Sequence, residues 1–185
     1  MNYIERYKNV LDPSTCQKII DYFEKSPDKQ LGRMGGTFGS FVNQEYKKST
    51  DLYFNIFDSN WVSTYLPPII VSQVKKYIKK YSFLETGLCE METTMSMKRY
   101  YPGEGYYKEH CENSSQGSDS CRMLAWMIYL NDVRDGGTYW PQQFFKSKAT
   151  QGSMYIWPAG WTHSHKGIVA KRDIKYIISG WFRYK

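Results

Sequence analysis

Lys175-Tyr176-Ile177-Ile178-Ser179-Gly180-Trp181-Phe182-Arg183-Tyr184 closes the chain. Side chains alternate across an extended strand. Lys175, Ile177, Ser179 and Trp181 therefore share one face, and Tyr176, Ile178, Gly180 and Phe182 share the other. Both faces are mostly apolar, which marks a strand covered on both sides with Lys175 inside. A buried ammonium is costly without an opposite charge, so a protein carboxylate or a bound anion must meet it. A lysine at the strand mouth, snorkelling to water, is the other reading of the same pattern.

Working outward, residues 122–130 are almost wholly apolar and predict a central strand buried on both sides. Further strands are predicted at 93–101, stopped by Pro102-Gly103-Glu104-Gly105, and at 153–157, ended by Pro158-Ala159-Gly160. Residues 106–109 lead into His110, and 131–137 form a turn rich in Asn, Asp and Gly. Short strands at this regular spacing predict a double-sheet barrel or jelly roll.

The N-terminal half predicts a strand at 3–10 and a helix opened by Asp12-Pro13, with Cys16, Ile19, Ile20 and Phe23 as its buried stripe. A strand at 52–57 precedes a helix that follows Pro67-Pro68 and runs to about Tyr81. Its lysines, Lys75, Lys76, Lys79 and Lys80, form a solvated face opposite Ile70, Val74, Tyr77 and Ile78. Residues 31–42 are glycine-rich but lack Gly-Lys-Ser/Thr, so they read as a mobile loop and not a phosphate cradle; 31–45 is the candidate lid or substrate clamp. The chain reads as one domain of 185 residues, with 1–90 as helical and strand support and 91–185 as a β core. The fold class is thus mainly β with N-terminal supporting helices.

Aromatic residues make up 17% of the chain, which suits strands. No run reaches the ~18 apolar residues of a membrane span. The first residues lack a signal-peptide layout, which gives a cytoplasmic location as the expectation. Cys16, Cys89, Cys111 and Cys121 contain no CxxC pair and read as free thiols. The net charge of +7 permits an acidic partner or nucleic acid, although the basic residues are scattered.

The chain has 3 histidines. His110-Cys111-Glu112 places an imidazole and a carboxylate on one side of an extended segment, with Cys111 pointing away. His163 and His165 also share a side, and either could supply a third ligand; spacing alone does not choose. Two imidazoles and one carboxylate are the facial triad of a non-haem Fe(II) oxygenase, although the same donors accept other divalent metals.

Tyr100-Tyr101-Pro102-Gly103, with Tyr107-Lys108-Glu109-His110-Cys111-Glu112-Asn113, resembles the first metal motif of the 2-oxoglutarate/Fe(II)-dependent dioxygenases, in the prolyl 4-hydroxylase-like branch. Met127-Ile128-Tyr129-Leu130-Asn131 with Gly136-Gly137-Thr138 is similar to that branch's central strand and turn. His165-Lys166-Gly167-Ile168-Val169 followed by 175–182 is similar to its closing motif. The resemblance covers about 100–184, and the short form is similar to enzymes carried by bacteria and their phages, which would place it in a host cytoplasm if phage-encoded.

The resemblance implies a double-stranded β-helix of the jelly-roll or cupin type. It implies His110, Glu112 and His165 as Fe(II) ligands and Lys175 as partner of the distal carboxylate of 2-oxoglutarate. Tyr129 would hydrogen-bond that carboxylate, and Tyr101 would line the pocket near the co-substrate or substrate. Trp181, Tyr107, Arg99 and His163 are further pocket candidates, His163 outside the triad. The implied reaction hydroxylates a C–H bond with O2, yields succinate and CO2, and is open to stimulation by ascorbate. A protein or peptide, proline first, is the implied substrate. Nucleic acid or a free amino acid is the alternative, and a non-catalytic metal-binding barrel the reading from another class. One Lys175 stands where the base-demethylating branch has a pair of arginines. Glu112 departs from the family's usual aspartate but still offers an oxygen ligand, so hydroxylation is retained over halogenation.

Overall fold

A computed structural model of the chain describes residues 2–35, 39–87, 89–113 and 118–185. In chain order its elements are β1 (Glu5–Tyr7), α1 (Pro13–Lys25), β2 (Gln30–Leu31), β3 (Lys47–Lys48), β4 (Thr50–Asn55) and α2 (Trp61–Lys80). Then come β5 (Cys89–Met91), β6 (Thr94–Tyr100), β7 (Gly105–Tyr106), β8 (Arg122–Tyr129) and β9 (Gly137–Trp140). The last are β10 (Phe145–Lys146), β11 (Met154–Pro158), β12 (Lys166–Ile168) and β13 (Lys175–Tyr184).

The main sheet runs β1-β11-β8-β13-β6-β4-β2, all antiparallel, with β5 pairing the end of β13. The apolar run of β8 lies between β11 and β13, as its two-sided burial requires. Alternation then assigns the two faces. Leu124, Trp126, Ile128, Ile178 and Phe182 pack with the helices, while Ala125, Met127, Tyr129 and Ile177 face the second sheet. That second sheet, β10-β9-β12, lays Trp140 against Tyr155 and Trp157, and β3 and β7 pair beside it.

α1 begins where Asp12 accepts the Thr15 N–H at 2.9 Å, and Cys16, Ile19, Ile20 and Phe23 are its buried stripe. β4 ends two residues sooner than 52–57 predicts, because the Asp58 carboxylate takes the Asn55 N–H at 2.7 Å and turns the chain. α2 begins before the proline pair, not after it. Asn60 caps it by accepting the Ser63 N–H at 2.9 Å, so Pro67 and Pro68 lie inside the helix. Burial of Val62, Leu66, Ile70, Val74 and Tyr77 along one stripe offsets the missing proline N–H groups. No helix among the described residues is long and apolar enough to cross a membrane. The expected clamp at 31–45 lies in part outside the described residues; at its base Met34 and Phe41 form an antiparallel bridge.

Gly180 sits flush against the Trp126 indole, where an added Cβ would come within 2.7 Å of a ring carbon. Trp126 is rigid and fully buried. Gly180→Ala is expected to destabilise the fold by about 1–3 kcal/mol in denaturant unfolding; an unchanged midpoint would contradict this packing.

Candidate functional site

His110 and His165 face one another across an antiparallel bridge. The His110 N–H donates to the His165 carbonyl at 2.9 Å, and the His165 N–H returns to the His110 carbonyl at 2.8 Å. Directly opposed residues in an antiparallel pair project to the same side, and the two rings stand 4.5 Å apart. Glu112 is two residues on, anchored by its N–H to the Ala159 carbonyl at 3.0 Å. Its Oε1 lies 3.2 Å from His165 Nε2 and 3.9 Å from His110 Nε2. One donor atom from each of the three residues thus lies within 4.8 Å of the others.

The ring tautomers are set locally. His110 Nδ1 donates to the Lys108 carbonyl at 3.0 Å, and His165 Nδ1 donates to the His163 carbonyl at 3.1 Å. Both Nε2 atoms are left to face Glu112, the arrangement a divalent cation needs. Burial, with the nearby His165, pushes the His110 imidazole down to about 3, so it is the neutral, ligating form at physiological pH. Burial acts to raise the Glu112 carboxyl. Its contact with His165 and the nearby Arg122 guanidinium outweigh this and hold the group well below the usual carboxylate range.

Aromatic rings fix this cluster. Tyr106 stacks on His110 at 3.6 Å and 14°, and Trp157 stands edge-on to His165 at 5.1 Å. Trp181 Nε1–H donates to Glu112 Oε2 at 2.8 Å, leaving Oε1 directed at the histidines. Arg122 lies 3.7 Å above the Trp181 ring centre and is itself held by Glu92 at 2.9 Å and Asp119 at 2.9 Å.

The triad opens on a cavity of about 950 Å³ whose far wall carries Lys175, Tyr100, Tyr129 and Thr138. Lys175 is 3% exposed. Its ammonium donates to the Ile168 carbonyl at 3.2 Å and lies 4.7 Å from the Tyr100 ring centre, and no carboxylate reaches it among the described residues. Burial alone pushes it down to about 8. The Tyr129 hydroxyl is shared with Thr138 at 2.9 Å and Ser147 at 2.8 Å.

Four expected pocket residues, Tyr101, Arg99, Tyr107 and His163, lie outside the cavity lining. Tyr101 is 43% exposed, its ring against the Arg99 guanidinium, because Tyr100 is the residue that pairs with Lys175. Arg99 follows the opposite alternation and binds both oxygens of Glu24, at 2.9 and 2.8 Å, beside α1. Tyr107 ties down the preceding turn by donating its hydroxyl to the Gly103 carbonyl at 2.8 Å. The pocket positions belong to Tyr100 and Tyr106. Counting alternately back from His110 through Lys108 reaches Tyr106, so the signal for it was present in the sequence. No sequence signal pointed to Trp140 and Trp157, which reach His165 only through the second sheet and β11. His163 is buried with both ring nitrogens engaged, one by the Asn2 carbonyl at 2.9 Å and one by the Thr162 hydroxyl at 3.0 Å. The described part of the 31–45 segment contributes Arg33, Met34 and Ser40 to the cavity wall.

Residues 95–183 match the family model described as the 2OG-Fe(II) oxygenase superfamily. No curated protein sequence matches significantly. Among solved structures, the viral collagen prolyl hydroxylase of Paramecium Bursaria Chlorella virus-1, in its 2OG complex, is similar at 18% identity and a TM-score of 0.69, over 98% of this chain and 96% of that one. A Pseudomonas putida prolyl-4-hydroxylase is similar at 14% identity and 0.66, over 100% and 94%. A Trichoplax adhaerens prolyl hydroxylase, in complex with a hypoxia inducible factor oxygen degradation domain peptide fragment, gives 17% and 0.72, over 99% and 84%. These likenesses are of fold.

Divalent-metal titration separates the two C-terminal histidines. His165→Ala is expected to abolish tight binding, whereas His163→Ala should keep it and lose about 1–3 kcal/mol of stability from its stranded buried partners. Trp181→Phe should weaken metal binding by about tenfold through loss of the Glu112 restraint.

Proposed function

We propose that the chain, whose residues 95–183 match the 2OG-Fe(II) oxygenase superfamily model, is a 2-oxoglutarate-dependent dioxygenase that hydroxylates a C–H bond of a peptidyl residue, proline foremost, with His110, Glu112 and His165 holding Fe(II). Bound iron would supply activation of O2, coupled to conversion of 2-oxoglutarate to succinate and CO2. The residues present fit that group. Two Nε2 atoms and one Glu112 oxygen converge from one side, which leaves the other coordination positions to the co-substrate and O2.

The observation that carries the reading is Lys175: a buried ammonium in the triad's own cavity with no protein carboxylate to meet it. A dicarboxylate with one end at the triad and the other at Lys175 supplies the missing charge. Tyr129 and Thr138, on the same wall, offer hydroxyls to that carboxylate. Tyr106, Trp140 and Trp157 pack against the histidine rings and hold their orientation. Trp181 keeps one Glu112 oxygen for the metal by occupying the other, so the extra methylene relative to aspartate is accommodated. The peptide assignment draws support from the Trichoplax enzyme, a prolyl hydroxylase described with a peptide fragment.

Succinate release from 2-oxoglutarate with Fe(II) and ascorbate tests this directly. Wild type should turn over with proline-containing peptides; His110→Ala and Lys175→Ala should fall at least about a hundredfold. No turnover and no 2-oxoglutarate binding by wild type would sink the proposal. The pH dependence has a definite sign. Lys175 must be protonated to hold a carboxylate, and in the free protein burial places it at about 8. Affinity for 2-oxoglutarate should be flat below that pH and weaken by about tenfold per unit above it. Calorimetry showing affinity unchanged to pH 10 would remove Lys175 from the contact.

A further inference from the structure

Lys175 is not the only lysine of the cavity without an acid. Lys98 leaves β6 on the same face and points into the cavity. Its ammonium donates to Ser96 Oγ at 2.5 Å and Ser179 Oγ at 2.7 Å, two neutral acceptors for a group with three N–H donors. Among the described residues no carboxylate lies within ion-pair reach of it. The acid beside it across the sheet, Asp51, is already taken by Lys47 at 2.5 Å, Tyr53 at 2.9 Å and Ser49 at 2.7 Å. Glu112 is committed to the histidines and Trp181. A cation held by two hydroxyls, facing a cavity, is set for an incoming anion.

Lys98 pairs with Ile177, two residues along β13 from Lys175 or about 7 Å, and its ammonium reaches away from Lys175 to Ser179, two residues farther on. Lys175 takes the distal carboxylate of the diacid, which leaves Lys98 to a different carboxylate. Ser179 is two residues from Trp181, the partner of Glu112, or about 7 Å. Polar residues lining the cavity include Gln30, Arg33, Tyr53, Thr94 and Ser96.

We propose that Lys98 is the specificity residue for the primary substrate, pairing with a substrate carboxylate that lies within about two residues of the oxidised carbon. This rests on the dioxygenase reading and names its substrate class: an acidic peptide segment, the carboxylate coming from a side chain or from a chain terminus.

Paired proline peptides decide it, with Glu against Gln at each of the two positions flanking proline, and a C-terminal acid against its amide. Binding is measured by calorimetry on protein loaded with Zn(II) and 2-oxoglutarate, where no turnover occurs, and kcat/KM by succinate release with Fe(II). At least one acidic peptide should exceed its amide twin by about tenfold or more in both. Which pair shows the difference identifies side chain or terminus as the source. Lys98→Met should abolish the difference, and Lys98→Glu should favour a Lys-bearing peptide. If Lys98→Glu fails to fold, the apolar Met variant decides alone. The assignment is overturned if no acidic peptide beats its amide, or if the preference survives in Lys98→Met. It is overturned equally if Lys98→Met weakens 2-oxoglutarate as much as Lys175→Met does, since Lys98 would then be a co-substrate contact. The Zn(II) binding order reads this inference without turnover. Failure of wild type to bind 2-oxoglutarate or release succinate tells instead against the dioxygenase assignment.

Discussion

Two hydrogen bonds between the His110 and His165 backbones are the constraint on which the site depends. They join segments far apart in sequence and place two imidazoles side by side before any metal is considered. Each ring then spends Nδ1 on a carbonyl two residues earlier in its own segment, so both Nε2 atoms turn inward. Glu112 completes the set because an extended chain returns to the same side after two residues. The geometry is preorganised by backbone pairing, which is stiffer than any side-chain contact, and the aromatic rings of Tyr106 and Trp157 prevent the imidazoles from rotating out.

The cavity's cations fall into those compensated by protein carboxylates and those with only neutral acceptors. Lys47 is buried but meets Asp51, which in turn gathers Ser49 and Tyr53. Arg122 meets Glu92 and Asp119 and covers the Trp181 ring. These charges are compensated within the protein and hold walls together. Lys175 and Lys98 have only neutral acceptors. Burying an uncompensated ammonium is costly, and Lys175 recovers that cost when an anion binds, while the half-buried Lys98 faces the same cavity. Lys175 is on β13 and Lys98 on the paired strand β6, two residues apart in register.

The β core was legible because its strands are long or extreme in composition. Alternation in 175–184 placed Lys175 and Trp181 on the cavity side, and the apolar run of 122–130 put β8 in the centre of the sheet. The strands of the second sheet escaped because two to four residues are too few for alternation to show. The start of α2 escaped because a proline pair reads locally as a boundary, whereas a cap at Asn60 and a continuous buried stripe override it.

By itself the sequence determined which chemistry is available. It holds a histidine and an acid two apart, a second histidine beside a closing strand, and a lysine in an apolar setting, because residue type and a period of two are local properties. Only the tertiary structure decided which tyrosine enters the cavity. Tyr100 and Tyr101 are neighbours in sequence, and the register of β6 against β13 alone turns the first toward Lys175 and the second to solvent. The same holds for Lys98, ordinary in sequence, which acquires its meaning from Ser179 across the strand pair and from the acids that are engaged elsewhere. Pairing register and the distribution of counter-charges are non-local, so no reading of one segment contains them.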